Sequence, residues 1–410
     1  MANNRKDDRG RALRKGEIQR SSDKRYMYTY TDPLGRRKYI YANDLAELRE
    51  KDKKLVKDQL DGLDLYMAGK ATVNDTFDRY LSTKFQLRAT TRSNYVYMYN
   101  KYVRETFGEK KIAEIKFSHV LQFYLYLLNE EGLALSTLDT IHTLLHPTFQ
   151  LAVRDEVIRN NPSDGVMKEI AKETDKTRGI RRALTLEQQR AFMDYTANHM
   201  VYYHWWPLLT VLLGTGCRIG EVLGLRWEDL DFENRVIHIN HSIVYYPVGD
   251  SRTSVQRISK PKTEAGIRAV PMLEQVYEAF MFEREEQEEN GFNQTVIDGM
   301  TGFVFVNRNG GVPNPQTINR TIKRIAHSYN SEEVVKAKRE RRAPIILPVF
   351  SCHHLRHTFC TRLCENENNL KVIQAIMGHR NIATTMDVYA EATESRKRET
   401  FENLSKLDIF

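Results

Sequence analysis

Two segments in the second half of the chain carry basic side chains at spacings suited to holding a phosphate. In GTGCRIGEVLGLRW, Arg218 and Glu221 stand three residues apart, on one face of a helix predicted to begin after Gly216. In SKPKTEAGIRAVPM, Lys260 and Lys262 precede a predicted turn and a returning strand, so either lysine could reach into a neighbouring cleft. Each pattern by itself is also that of solvated surface charges, which are common.

The segment SCHHLRHTFCTRLC is the densest cluster of reactive side chains in the sequence. In a predicted helix, His353 lies in the first turn, where the helix dipole favours anions, and Arg356 projects one turn later toward the same side. His353 could then exchange a proton while Arg356 donates hydrogen bonds to two phosphate oxygens. A zinc site would draw on six residues of this one helix: Cys352, His353, His354, His357, Cys360 and Cys364. Because one straight helix cannot wrap four ligands tetrahedrally, the cysteines are interpreted as small apolar residues and no metal is expected.

The segment QAIMGHRNIATTMDVYAEA adds a histidine and a tyrosine. Gly378 is typical of the residue that ends a helix, and His379 follows it directly. Tyr389 stands ten residues further on, in or beside another short helix. Position alone does not single out one tyrosine among 21.

A nucleotide-binding alternative arises from Gly214, Gly216 and Gly220, which nearly spell the dinucleotide fingerprint. Three residues instead of two separate the second and third glycines, and the preceding LLTVLLG indicates the end of a buried helix rather than a strand. The sequence also lacks a Walker-type phosphate loop and a plain carboxylate cluster for two catalytic metal ions. No cofactor is therefore expected.

The charge of the chain favours a polyanionic partner. Its 410 residues include 62 Lys and Arg against 54 Asp and Glu, with a pI of about 9.1. Residues 1–40 hold 12 Lys and Arg against 5 Asp and Glu, which makes the N-terminus a basic module. Four cysteines and no apolar leader predict a cytoplasmic protein. The longest strongly apolar run, Trp205–Leu213, has nine residues against the roughly 20 of a membrane span, so a transmembrane protein is excluded.

Three folded parts are predicted, of which the first is a small sheet with one helix. Arg25–Thr31 and Arg37–Tyr41 have the composition of strands, joined by a turn at Asp32–Gly35, and Asp44–Leu60 is an amphipathic helix. The second part is a helical domain, with helices predicted at 75–82, 90–107, 118–129 and 136–160.

The third part is a larger mixed domain that opens at a capping box, Thr185–Gln188. Its predicted strands are Arg235–Asn240, Val255–Ile258, Arg268–Val270 and Gly302–Val306. Its predicted helices include Met272–Glu289 and Pro315–Tyr329.

The chain resembles the tyrosine recombinases, the lambda-integrase family, in a set of motifs that occur in this order: GTGCRIGE, the lysine segment, HxxRH, MGH and a following tyrosine. The basic aromatic N-terminus and phrases such as DLDFENR and IMGHRNIA further resemble integrases of conjugative transposons. The resemblance spans essentially the whole chain and implies a multidomain fold. Its parts are a basic arm-DNA-binding domain with a three-stranded sheet plus helix (1–67), an all-α core-DNA-binding domain (74–163), a linker (164–182), and a mixed α+β, mainly helical catalytic domain with a C-terminal tail (183–410).

The resemblance also implies catalytic roles for Arg218, Lys262, His353, Arg356, His379 and Tyr389. The two arginines clamp the scissile phosphate, the tyrosine attacks it, and His353 acts as the base. The lysine protonates the departing 5′ oxygen, with Lys260 as an alternative to Lys262, and His379 steadies the phosphate or the tyrosine. The implied product is a 3′-phosphotyrosyl enzyme, whose ester bond allows rejoining without nucleotide hydrolysis.

The function implied by the resemblance is site-specific recombination that integrates and excises a mobile element. Its implied partners are core and arm sites on double-stranded DNA, the other subunits of a homo-tetramer, and an excisionase. Arm-site contact is expected from Lys24, Arg25, Tyr28, Arg36, Arg37, Lys38 and Tyr39. An apolar stripe in the C-terminal tail, formed by Phe401, Leu404 and Leu407, is predicted to dock on a neighbouring subunit. Two alternatives stay open: a type IB topoisomerase, and a DNA-binding regulator without catalysis.

Overall fold

The computed structural model describes residues 5–31, 37–60, 69–173, 182–247, 254–261, 264–307 and 309–390. The chain divides into two units, Met1–Arg178 and Gly179–Phe410. Several predicted features lie outside the described residues: the turn at Asp32–Gly35, Arg36, Lys262, and the tail residues Phe401, Leu404 and Leu407. No helix in the described ranges has the length and apolar character needed to cross a bilayer.

The first unit begins with a three-stranded antiparallel sheet and one helix. The strands are β1 (Glu17–Gln19), β2 (Tyr26–Thr31) and β3 (Arg37–Ala42), in the order β1-β2-β3, followed by the helix α1 (Leu45–Leu60). Tyr26 and Ala42 pack with Leu45 and Leu48 of the helix in a small core. The two strands predicted here are confirmed. With only three residues, β1 is too short to show an alternating pattern in the sequence.

The rest of the first unit is helical. Its helices are α2 (Val73–Thr83), α3 (Ala89–Tyr99), α4 (Phe117–Asn129), α5 (Leu135–Arg154) and α6 (Val166–Glu173). Thr72 caps α2 through a reciprocal pair of hydrogen bonds with Asp75, so the helix begins two residues before the predicted start at residue 75. The rings of Phe77 and Tyr99 stack 3.6 Å apart in the core between α2 and α3.

Two predictions for this helical domain are wrong. The last long helix ends at Arg154 rather than at residue 160, and the chain then turns at Glu156, whose φ is 57°. The first part of the segment predicted as an exposed linker (164–182) forms α6, whose Val166 and Ile170 are fully buried in the core of the domain. Two apolar residues four apart suffice to anchor one face of a short helix, although the segment as a whole is polar.

The second unit is mixed, with helices and two small sheets. Its helices are α7 (Leu186–Asn198), α8 (Trp206–Thr215), α9 (Ile219–Gly224), α10 (Glu274–Asn290), α11 (Pro315–Glu340), α12 (Cys352–Asn366), α13 (Leu370–Met377) and α14 (382–390). Its strands are β4 (Leu230–Asp231), β5 (Val236–Ile239), β6 (Ser242–Pro247), β7 (Ser254–Ser259) and β8 (Arg268–Pro271). The predicted fold class, a small sheet domain, a helical domain and a mainly helical α+β domain, is confirmed.

The turn predicted after the lysine segment is present at Glu264–Gly266 and the predicted returning strand is β8, but β7 and β8 do not pair with each other as the two arms of a hairpin would. β7 pairs with β6, whereas β8 pairs with β5 in a different sheet. Only residues 240 and 241 separate β5 from β6, but residues 260–267 separate β7 from β8. The described part of this connection, residues 260–261 and 264–267, is the lysine bulge, which joins the strands of the two sheets.

Two other boundaries differ from prediction. Gly302–Val306 forms a single bridge, between Phe303 and Arg226, rather than a strand. The helix predicted at Pro315–Tyr329 continues to Glu340, and its last turns are held by the buried Glu333 and Ala337. The capping box at Thr185 is confirmed, since its hydroxyl accepts from the Gln188 amide.

Gly216 ends α8 and fixes the direction of the chain into α9. Its φ of 61° lies in the left-handed region, which only glycine enters at no steric cost. A Cβ atom at this position would overlap the ring of Phe359 on α12. Helices α8 and α12 thus approach each other at a point where no side chain fits.

We expect Gly216→Ala to destabilise the second unit by more than Gly310→Ala. Both glycines have a positive φ, but an added Cβ at Gly310 meets no atom within 4 Å. The left-handed backbone alone costs an alanine about 1 kcal/mol, and overpacking against Phe359 adds about 1–3 kcal/mol. Urea unfolding followed by tryptophan fluorescence reports on this unit alone, because Trp205, Trp206 and Trp227 all lie in it. Equal decreases in the free energy of unfolding of the two variants would contradict the steric argument.

Candidate active site

Arg218 occupies the N-cap position of α9, directly after the Gly216 turn. Its backbone amide donates to Glu221 Oε2 over 2.9 Å, and its Nη1 donates to Glu221 Oε1 over 2.8 Å. Its Nη2 donates to the carbonyl of Gly378 over 3.3 Å. The side chain keeps 44% of its surface exposed, so it is held on one side and open on the other.

Arg356 lies on the inner face of α12 and is 6% exposed. Its Nη1 donates to the carbonyl of Gly216, and its Nη2 donates to the carbonyl of Met377, both over 2.6 Å. Arg218 and Arg356 are therefore attached to the same two turns, one at Gly216 and one at Met377–Gly378. The structure brings these two predicted residues together from positions 138 apart in the sequence.

A third arginine, which sequence reasoning missed, joins the group. Arg268 on β8 is 5% exposed in its side chain, and its Nη2 donates to Glu221 Oε2 over 2.8 Å. Its Nε donates to the carbonyl of Ile376 over 2.8 Å. The signal was strand alternation, which puts Arg268 on the same face as the buried Val270. An arginine at an inward-facing strand position requires a buried partner.

These side chains give the site an excess of positive charge. Arg218 and Arg268 both pair with Glu221, whereas the described hydrogen bonds of Arg356 go to backbone carbonyls. Burial raises the pKa of Glu221, but hydrogen bonds from Arg268 and Arg218 outweigh burial and lower it overall. Burial, and then the charges of Arg218 and Arg268, lower the pKa of Arg356 to about 10. Guanidinium groups stay charged in proteins, so three cations surround one carboxylate, and the uncompensated charge suits a bound anion.

His379 is buried beside the arginines, immediately after the turn at Gly378. Its Nδ1 lies 3.0 Å from the hydroxyl of Thr385 on α14, and its backbone carbonyl accepts from Gln374 Nε2. Burial, followed by the charges of Arg356, Arg218 and Arg268, lowers the pKa of His379 to about 4. The imidazole is therefore neutral at pH 7.

The two adjacent histidines at the start of α12 have different surroundings. His354 Nδ1 is 3.0 Å from the hydroxyl of Ser351, the N-cap residue of the helix. His353 lies in the first turn, as predicted, and its side chain is exposed to solvent. His353 is the more exposed of the two, since His354 is half-buried.

Tyr389 lies on α14 and packs against a cluster formed by Cys360, Cys364, Ile373 and Met377. Met377 is also the residue whose carbonyl binds Arg356. The tyrosine and the arginines therefore share the end of α13 as a common support. All four cysteines are buried free thiols, in keeping with their interpretation as apolar residues. In the described part of the chain, no three His, Cys, Asp or Glu side chains come together as metal ligands.

Three family models match the chain, in an order that follows its architecture. Residues 1–59 match the DNA binding domain of Tn916 integrase, residues 72–128 the phage integrase N-terminal SAM-like domain, and residues 182–396 the phage integrase family. The transposase from transposon Tn916 of Enterococcus faecalis is 31% identical over 99% of this chain and 98% of its own length. The chain belongs to the phage integrase family. The resemblance to tyrosine recombinases of conjugative transposons is thereby confirmed.

Solved structures of the Tn1549 transposon integrase agree with this integrase in fold. The complex with a circular intermediate DNA is 30% identical, with a TM-score of 0.69, and covers 82% of this chain and 100% of that one. The complex with transposon right end DNA matches over the same shares, with a TM-score of 0.67. This integrase is accordingly a site-specific recombinase of the transposon type, as the sequence predicts.

The N-terminal sheet of the integrase has one face against α1 and one open face. The register pairs Thr29 with Tyr39 and Thr31 with Arg37, and these residues lie on the open face. Tyr39 is 52% exposed. Tyr28 packs against the core under α1, on the face opposite Tyr39, and its contact with DNA stays a prediction.

The other predicted arm residues have mixed positions. Lys38 alternates with Arg37 and Tyr39 and so lies on the helix side of β3. Lys24 and Arg25 precede β2 and form ion pairs with Asp8 and Asp23. Arg37 and Tyr39 are thus the predicted residues that the open face presents together.

The low pKa of His379 makes the stability of the second unit depend on pH. Between pH 6.5 and about 4, the unfolded histidine binds a proton that the folded one does not. The contribution of the neutral His379 to the free energy of unfolding is therefore fully present above pH 6.5, and it declines as the pH falls through this window. We expect the decline between pH 7 and pH 5 to be smaller in His379→Gln than in the wild type. Urea midpoints from tryptophan fluorescence test this, and identical declines in both proteins would contradict it.

Proposed function

We propose that the chain cuts and rejoins DNA through a 3′-phosphotyrosyl intermediate, with Arg218, Arg356, His353, His379 and Tyr389 in the roles expected from the sequence. The observation that carries this assignment is the attachment of Arg218 and Arg356 to the turns at Gly216 and Met377–Gly378. Those turns adjoin His379 and the cluster on which Tyr389 packs. The proposed reaction integrates and excises a mobile element.

The two arginines supply the charge that phosphodiester cleavage needs. The attacking oxygen approaches a group that is already an anion, and the phosphorane-like transition state places more negative charge on its oxygens. Guanidinium groups remain charged at pH 7 even when burial lowers the pKa to about 10, as for Arg356. Glu221 accepts hydrogen bonds from both Arg268 and Arg218. Its single negative charge is therefore divided between two arginines and does not fully neutralise Arg218.

In the proposed step, Tyr389 Oη forms a bond to phosphorus as the bond from phosphorus to the DNA 5′ oxygen breaks. The phenolic proton passes to His353, and the 5′ oxygen receives a proton from Lys262, with Lys260 as the alternative. One phosphate ester replaces another, so attack by a 5′ hydroxyl reverses the step without an external energy source.

His379 is proposed to act as a neutral hydrogen-bond donor to the phosphate. We propose that Nδ1, 3.0 Å from the Thr385 hydroxyl, accepts its hydrogen bond, which places the ring proton on Nε2. Its Nε2 has no hydrogen-bond partner among the described residues. A neutral donor stabilises a phosphate oxygen without adding a fourth positive charge beside three arginines.

The proposal extends to partners and location. The match to a DNA-binding domain and the likeness to an integrase solved with DNA support DNA binding by this chain. We further propose that four copies assemble on core and arm sites, with an excisionase directing excision, in the bacterial cytoplasm. The basic N-terminus and the open face of its sheet provide the arm contact.

Tyr389→Phe is expected to retain DNA binding and lose covalent attachment, because the ring keeps its packing while the nucleophilic oxygen is removed. The measurement uses a nicked suicide duplex made from the ends of the element that encodes the chain, with adduct detected on denaturing gels. Tyr203→Phe, at a partly exposed tyrosine of the same unit, serves as the control and should form adduct normally. An adduct that persists in Tyr389→Phe would refute the nucleophile. Supercoil relaxation without strand exchange by the wild type would instead favour the topoisomerase alternative.

Arg37→Ala is expected to weaken arm-site binding about tenfold, because the open face loses a cation that contacts DNA. Lys38→Ala removes one positive charge from the opposite side of the same strand and should change affinity by less than about twofold. Fluorescence anisotropy with arm-site duplex at fixed salt measures both. Equal losses would mean that net charge, rather than the open face, accounts for binding.

A further inference from the structure

Arg268 makes contacts that a simple counter-ion for Glu221 would not need. Its guanidinium reaches Glu221 Oε2 through Nη2, the carbonyl of Ile376 through Nε, and the carbonyl of Gly266 through Nη1 over 3.4 Å. Its Nη2 also lies 3.5 Å from the thiol of Cys217. One buried side chain therefore joins α9, the end of α13 and the turn beside the lysine bulge.

The contact with Ile376 places Arg268 against the turn that carries His379. A Cβ atom built at Gly378 would lie 3.0 Å from Arg268 Nη1 and 3.0 Å from the carbonyl of Ala265. The turn, the guanidinium and the lysine bulge are therefore packed together without space for a methyl group. A displacement of Arg268 must move the turn or leave its carbonyl unpaired.

The contact with Glu221 determines how Arg218 is held. Glu221 divides its two oxygens between Arg218 and Arg268, and Oε2 also accepts from the Arg218 amide. If Arg268 were absent, the buried carboxylate would have Arg218 as its cation and would draw that guanidinium away from a substrate. With Arg268 present, the exposed side of Arg218 remains available to an anion.

We infer that Arg268 is a positioning residue for strand cleavage, which acts through Glu221 on Arg218 and through the Ile376 carbonyl on the His379 turn. This inference rests on the proposed function, since it concerns the grip of Arg218 on the scissile phosphate. Arg268 itself is buried behind these groups and need not touch DNA. The same contacts connect the base of the lysine bulge to the arginine that binds the phosphate.

The test compares two scissile groups in the nicked suicide duplex: the natural phosphodiester and a methylphosphonate. The methylphosphonate lacks the negative charge, so its cleavage depends far less on a correctly placed Arg218. We expect Arg268→Met to slow single-turnover cleavage of the phosphodiester about 10- to 100-fold, as for a small displacement of a charged group. Cleavage of the methylphosphonate should slow by less than about threefold.

Two further variants keep the test independent of folding. Arg235→Met removes another arginine paired with a glutamate in the same sheet, and should leave both cleavage rates unchanged. Arg268→Lys keeps the charge beside Glu221 but cannot span all the acceptors, so its phosphodiester rate should fall between those of wild type and Arg268→Met. Tryptophan fluorescence confirms that each variant is folded, and if Arg268→Met is not, the lysine variant supplies the same comparison of scissile groups.

An equal slowing on both scissile groups would overturn the inference, because it would indicate a general structural defect. An unchanged phosphodiester rate in both Arg268 variants would overturn it as well. Arg268→Met combined with Glu221→Gln should be no slower than the slower single variant, since the two residues act in series. If the wild-type chain forms no adduct on either substrate, the proposed function itself fails. A wild type that cleaves normally beside fully active Arg268 variants would defeat only this inference.

Discussion

An anion-binding site must hold several positive charges close together before its ligand arrives, and the folded protein has to offset their repulsion. Here Arg218, Arg268 and Arg356 are gathered around Glu221 and around backbone carbonyls that the helix ends leave exposed. Carbonyl dipoles stabilise a guanidinium without cancelling its charge. The site therefore stays positively charged overall, which is the property that a phosphate requires.

The same requirement explains why two glycine turns border the site. The carbonyls of Gly216 and Gly378 point at guanidinium groups because both residues adopt a left-handed conformation at the end of a helix. At both positions a side chain would collide with a neighbouring group. The glycines that superficially resemble a nucleotide-binding fingerprint are thus explained by helix termination and close packing.

The low pKa of His379 follows from this concentration of charge. Burial and three nearby arginines both oppose its protonation, whereas His353 is exposed at the start of α12. The proposed roles follow this difference, with the buried His379 as a neutral donor and the exposed His353 as the base. Their sequence motifs do not distinguish these purposes, because the difference arises from burial.

The sequence alone predicted the family, which is confirmed, and named Arg218, Arg356, His379 and Tyr389 as candidate site residues, because both follow from local motifs and their order. It also determined the helices whose apolar faces repeat over several turns. Only the tertiary structure revealed Arg268, the helix in the supposed linker, the separate pairing of β7 and β8, and the inward side of Tyr28. Each of these depends on which distant segments pair or pack together. The spacing of residues within one segment does not predict such contacts.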